Sequence, residues 1–168
     1  MTILTAGYGN RGFEPFIQLL KAHGVTHLVD VRSVPQSSYW EDFRRVRLEL
    51  IVPPTGLKYI YMGDTLGGVS DSPVLCKDPE SVDMAPLFED PKLELGLRKL
   101  MSAAEDPRRK ICLMCGCLRP HHCHRSRLLG EALFKRGVEL QHVDDKGILV
   151  PQSVVVEQAR PKQLSLFG

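Results

Sequence analysis

The stretch TILTAGYGNRGFEPFIQLLKAHGVTHLVDVR, residues 2–32, decides the fold class. Thr2–Ala6 is a short apolar run closed by the turn Gly7-Tyr8-Gly9-Asn10. Apolar residues then recur at Phe13, Phe16, Ile17, Leu19 and Leu20, the period of a helix, and Gly24 sits where a helix C-terminus favours glycine. His27-Leu28-Val29-Asp30-Val31-Arg32 has the composition of a second strand. Strand, helix and strand over so short a span predict a βαβ unit.

The alternation continues outward from that unit. Glu41–Leu50 is a charged helix candidate stopped by Pro53-Pro54, and Lys58–Met62 reads as a strand running into Leu66-Gly67-Gly68. Residues 69–90, rich in Asp, Pro and Ser, read as an irregular insertion. Leu93–Ala104 has helical periodicity, Lys110–Met114 is a buried strand, and Ser126–Lys135 is helical up to Gly137. Val138–Val143, Ile148–Val150 and a short helix around Val154–Ala159 complete the chain before its tail. The pattern predicts one α/β domain over residues 1–160, a three-layer sandwich with a mainly parallel sheet, Rossmann- or flavodoxin-like. Residues 161–168 read as a flexible tail. In such folds ligands sit beyond the carboxyl ends of the strands, where Gly7–Asn10, Asp30–Ser33 and Cys115–Arg125 fall.

Four of the five cysteines lie between Ile111 and Arg125, in Ile111-Cys112-Leu113-Met114-Cys115-Gly116-Cys117-Leu118-Arg119-Pro120-His121-His122-Cys123-His124-Arg125. A secreted disulfide framework spreads its cysteines more widely, and the first residues lack the basic region of a signal peptide. No apolar run reaches the length of a membrane span, so a cytoplasmic protein with reduced thiols and no membrane partner is expected. Formal charge is +2. Residues 64–94 are acidic, whereas the segment from Arg98-Lys99 through Arg108-Arg109-Lys110 to Arg136 is basic. The basic segment holds the cysteines, which favours an anionic ligand there.

Within that segment Cys112 alternates into the strand as a core thiol. Cys123 precedes a helix beside His124 and Arg125, a setting that favours a thiolate and makes Cys123 or Cys115 a candidate nucleophile. Arg32 and Arg125 are candidate anion ligands, and Asp30 or His124 a candidate acid or base. The glycines of the Gly7-Tyr8 turn let backbone N–H groups approach a phosphate, with the Tyr8 phenol as a further donor. A zinc set would use Cys115, Cys117, Cys123 and one of His121, His122 or His124, but that set lacks paired Cys-x-x-Cys spacing, so no metal is expected. The cysteine–five residues–arginine loop of tyrosine phosphatases is also missing.

Gln163-Leu164-Ser165-Leu166-Phe167 closely resembles the pentapeptide by which bacterial replication and repair proteins dock on the DNA sliding clamp. Leu166 and Phe167 would fill an apolar pocket, Leu164 a second subsite, and Gln163 would hydrogen-bond at the rim. The alternative is that these residues cap the domain's own core.

Gly7-Tyr8, Asp30-Val31-Arg32 with Pro35, Leu66-Gly67-Gly68, and Leu113-Met114-Cys115 leading to Cys123-His124-Arg125 together resemble the bacterial domain of unknown function 488 family. That resemblance implies an α/β domain with a cleft and no assigned reaction or cofactor. It adds Gly67 and Gly68 to the candidates Tyr8, Asp30, Arg32, Cys115, Cys123, His124 and Arg125. Family members commonly carry His-Ser where this chain has Tyr8-Gly9. The expected function is a cytoplasmic, DNA-maintenance-associated protein whose cleft binds a phosphate-bearing ligand, a nucleotide or a nucleic-acid end. The alternatives are a thiol enzyme acting on a small molecule, by sulfur transfer or redox chemistry, and a zinc-stabilised binding module.

Overall fold

A computed structural model describes residues 1–68 and 83–160. The strands are β1 (Thr2–Gly7), β2 (His27–Asp30), β3 (Lys58–Tyr61), β4 (Ile111–Cys115), β5 (Glu139–Val143) and β6 (Leu149–Pro151). They form one sheet in the order β3-β2-β4-β1-β5-β6, parallel throughout except for the antiparallel β5–β6 pair. The helices are α1 (Phe13–Ala22), α2 (Arg45–Ile51), the single turns α3 (Gly63–Leu66) and α4 (Ala85–Phe88), α5 (Pro91–Ala104), α6 (Glu131–Phe134) and α7 (Gln152–Ala159). None is long and apolar enough to cross a membrane.

The central strands are apolar on both faces, as a sheet covered on both sides requires. Leu4, Ala6, Leu28, Cys112 and Met114 meet Phe16, Ile17 and Leu20 of α1 and Leu48 of α2. Ile3, Val29, Ile111, Leu113 and Leu140 meet Leu93, Leu97 and Leu100 of α5 and Leu133 of α6 on the opposite face. The α/β sandwich expected from the alternation is therefore present. Asp90 caps α5 by accepting the N–H of Lys92 at 2.9 Å, with Pro91 in the first turn.

The strand order creates the cleft. From β1 and β2 the chain leaves toward the α1/α2 face; from β4 it leaves toward the α5/α6 face. Since β4 lies between β2 and β1, its exit loop departs opposite to both neighbours and opens a crevice beside it. The cysteine-rich loop is that exit loop.

Two helices depart from their sequence pattern. The expected helix over Glu41–Leu50 breaks at Arg44, which is extended, leaving a 3-10 turn at Glu41–Phe43 ahead of α2. The break turns Phe43 into the core, where its ring stacks on Tyr8 at 4.0 Å. The helix expected from Ser126 begins as a π-helix over Arg125–Gly130 and continues as α6. Of the expected insertion, residues 83–90 contain α4, and 69–82 lie outside the described residues.

Candidate functional site

Asp30 ends β2 and Arg32 lies two residues beyond, so both side chains fall on the α1/α2 side of the sheet. Asp30 is fully buried. Its Oδ1 accepts the backbone N–H of Arg32 at 3.1 Å and Arg32 Nε at 2.9 Å. Its Oδ2 accepts Arg32 Nη2 at 2.7 Å and the Tyr59 hydroxyl at 2.6 Å. Four donors occupy the carboxylate, which suits Asp30 to orienting Arg32 rather than to moving a proton. Burial alone would lower the Arg32 pKa, but the hydrogen bonds and charge of Asp30 raise it, so the guanidinium is permanently charged. Arg32 Nη1 donates to the Tyr8 hydroxyl at 3.2 Å, while Phe43 fixes the Tyr8 ring.

One edge of Arg32 faces a cleft of about 660 Å³. Val34 and Gln36 continue its near wall, and the far wall is Cys115–Arg119 with His122 and His124. Arg32, Arg119 and two histidines line this space, and no carboxylate joins them among the described residues.

Cys115 at the far wall and Cys123 behind it are both buried, with Sγ atoms 2.8 Å apart. Burial would raise the Cys123 pKa, but the hydrogen bond from Cys115, the charge of Arg125 and the N–H groups of Arg125 and His124 lower it instead. Burial and the adjoining sulfur push Cys115 far up. Of the two thiols, Cys123 is therefore the more acidic and Cys115 the less. His124 Nε2 lies 3.1 Å from the Val31 carbonyl, which fixes the proton on that nitrogen. Nδ1, 3.7 Å from Cys123 Sγ, is left as an acceptor, and burial holds the ring neutral. Cys112 is a core thiol, as its alternation predicts, with burial pushing its pKa up to about 12.

Arg125 is the largest fully buried side chain. Its Nη2 donates to the Leu118 carbonyl at 2.9 Å, while Nε and Nη1 have no hydrogen-bond partner among the described residues. The guanidinium lies beneath the loop, not among the residues lining the cleft, so it acts on Cys123 rather than directly on a ligand.

The glycine candidates take a different place from the expected one. The N–H groups of Tyr8 and Gly9 bond the carbonyls of Cys115 and Gly116, both at 3.1 Å, so neither is available to a phosphate. Gly7 instead allows a close crossing: a Cβ there would lie 1.7 Å from the Cys117 carbonyl oxygen. Gly67 likewise abuts the backbone of Ser33. Gly68 lines a separate hollow of about 270 Å³ between Ser33 and α5.

The sulfurs of Cys115, Cys117 and Cys123 lie within 4.8 Å of one another. Cys117 is already disulfide-bonded, so its sulfur is not a thiolate ligand, and among the described residues no histidine nitrogen lies within that distance of all three sulfurs, so the set does not fit a tetrahedral zinc site. Tyr59 and Phe43 went unrecognised as site residues. Tyr59 sits in a strand pattern and Phe43 in a charged helix pattern, and neither pattern signals contact with Asp30 or Tyr8. Gln163–Phe167 lie outside the described residues.

A family model described as a domain of unknown function, DUF488, matches residues 12–132, from just before α1 into α6. The match includes Asp30, Arg32, Cys115, Cys123, His124 and Arg125. No curated protein and no solved structure matches the chain.

Proposed function

The chain belongs to the DUF488 family, and on that premise we propose that its cleft binds an oxyanion-bearing ligand, a phosphate or nucleotide, for chemistry at the Cys115–Cys123 pair. The observation that carries this reading is Arg32: buried, charged, locked by Asp30, and facing a cleft that no carboxylate lines among the described residues. A guanidinium held on one edge by a carboxylate keeps its other edge for a planar or tetrahedral oxyanion. Arg119, paired with Asp145 at 3.8 Å, adds a second guanidinium at the mouth. In this scheme Cys115 lines the cleft, Cys123 is the candidate nucleophile directly behind it with its Sγ 2.8 Å away, and His124 Nδ1 is the adjoining proton acceptor. Titration of the protein with inorganic phosphate and with nucleoside phosphates, followed by calorimetry, tests the reading. Saturable binding that weakens at least tenfold in Arg32→Ala supports it; no binding at millimolar ligand refutes it.

Recruitment to DNA replication or repair rests on the Gln163–Phe167 peptide. Deleting residues 161–168 is expected to abolish binding to a bacterial sliding clamp, and unchanged affinity would end that half of the reading. The second reading, a thiol enzyme acting on a small molecule, is favoured by the 2.8 Å sulfur contact. It requires one thiol that alkylates with iodoacetamide near neutral pH much faster than the rest.

A further inference from the structure

We infer that Cys115 and Cys123 form a reversible redox site, a dithiol that a hydroperoxide entering the cleft converts into an intramolecular disulfide. The two sulfurs stand 2.8 Å apart, against about 2.05 Å for the covalent bond, so closure asks for less than an ångström of approach. They come from segments with different constraints. Cys115 ends a central strand, whereas Cys123 follows a short 3-10 turn at Pro120–His122.

The surroundings supply both charge and access. Arg125 is a fully buried cation with two unpartnered nitrogens, and such a charge is tolerated only beside an anion. Cys123, two residues away, is the group able to provide one. Cys115 lines the cleft and Cys123, fully buried, stands directly behind it, so the cleft side is the route by which a small oxidant would approach the pair. Leu113, Val31 and Leu128 belong to the same apolar core cluster as both thiols.

The step balances with the peroxide as the two-electron oxidant. The Cys123 thiolate attacks one peroxide oxygen, the O–O bond breaks, and hydroxide leaves Cys123 as a sulfenic acid. Cys115 gives up its proton and attacks the Cys123 sulfur, the S–O bond breaks, and the S–S bond forms. The Cys115 proton leaves with the hydroxide of the broken S–O bond as water, so overall one thiolate, one thiol and one hydrogen peroxide give one disulfide, one water and one hydroxide; with an organic hydroperoxide an alkoxide leaves in place of the first hydroxide. A dithiol reductant reverses it. The disulfide forms whether or not the cleft takes an oxyanion, so the site stands independently of the proposed ligand.

The test is differential thiol labelling of the full chain. After hydrogen peroxide treatment, free thiols are blocked with iodoacetamide in urea; the sample is then reduced, relabelled with N-ethylmaleimide and mapped by peptide mass spectrometry. Cys115 and Cys123 are expected to acquire the second label together, at least tenfold faster than Cys112, and to lose it after dithiothreitol pretreatment. Cys117→Ser is expected to leave the pair intact, and Cys115→Ser to leave Cys123 as a sulfenic acid trapped by dimedone. Retention of the first label on both residues, or a disulfide mapped between either of them and another cysteine, would overturn the inference. The wild-type mapping decides the matter even where Cys115→Ser fails to fold.

Discussion

Arg32 and Asp30 form a buried ion pair whose members depend on each other, because removing one leaves the other charged and unpaired inside the protein. Asp30→Asn is therefore expected to destabilise the fold by about 3–5 kcal/mol in urea unfolding, well beyond a surface pair. Arg32→Lys keeps the charge but loses the fork that spans both carboxylate oxygens, so it should unfold earlier than wild type and bind oxyanion more weakly. His142 sets a second expectation, for pH. It is fully buried and joined through Nδ1 to Thr5 Oγ1 at 2.6 Å and through Nε2 to Gln152 Oε1 at 2.5 Å. Burial and the charge of Arg125 hold its pKa down to about 3, against a reference near 6.5 in the unfolded chain. The unfolded state thus takes up a proton that the native state refuses. Stability is unaffected above pH 6.5 and falls from there toward pH 3, by up to about 1.4 kcal/mol per unit for this one group. Replacing His142 by Gln should flatten that acid limb, read as urea midpoint against pH; an unchanged slope would mean that other groups dominate it.

At the level of elements, the ends of β1, β2 and β4 fit because glycines let backbones cross. A side chain at position 7 would collide with the Cys117 carbonyl, and one at 63 with the Arg32 carbonyl, 1.8 Å from an added Cβ. Gly7→Ala should lift the cysteine loop from β1. The expected result is faster iodoacetamide labelling of Cys115 in the native state, with far-UV circular dichroism largely retained. Unchanged labelling would show that the loop has slack. These same glycines explain what the sequence left illegible. Gly7 and Gly9 look alike whether they cradle a phosphate or admit a neighbouring chain, because the deciding partner, Cys117, is remote in sequence. Alternation and helical period, being local, located every strand to within about two residues. The π-helix at Arg125–Gly130 was not legible: it ends at Gly130, which packs so close to the remote Gln152 side chain that an added Cβ would come within 2.5 Å of Oε1.

For the molecule as a whole, one topological choice gathers the site. The βαβ pattern at residues 2–32 indicated a parallel sheet, but nothing local indicated that β4 would insert between β2 and β1. That insertion sets Arg32 and the cysteine loop on facing walls, although they belong to helical layers on opposite faces of the sheet. Binding in a cleft shared by both layers should stabilise the entire domain rather than one loop, because unfolding either wall releases the ligand. At a ligand concentration of one hundred times Kd the gain is about 2.7 kcal/mol, an upward shift in Tm of roughly 5–10 °C for a chain of this size. Arg32→Ala should lose the shift. Deleting residues 161–168 should preserve it if the Gln163–Phe167 peptide serves a partner. Thermal scans of the three proteins in phosphate and in matched chloride separate the cases. A shift that survives Arg32→Ala, or one equally large in chloride, would reduce the effect to general salt stabilisation. Loss of the shift on tail deletion would instead mean that the C-terminal peptide contributes to its own domain rather than being reserved for a partner.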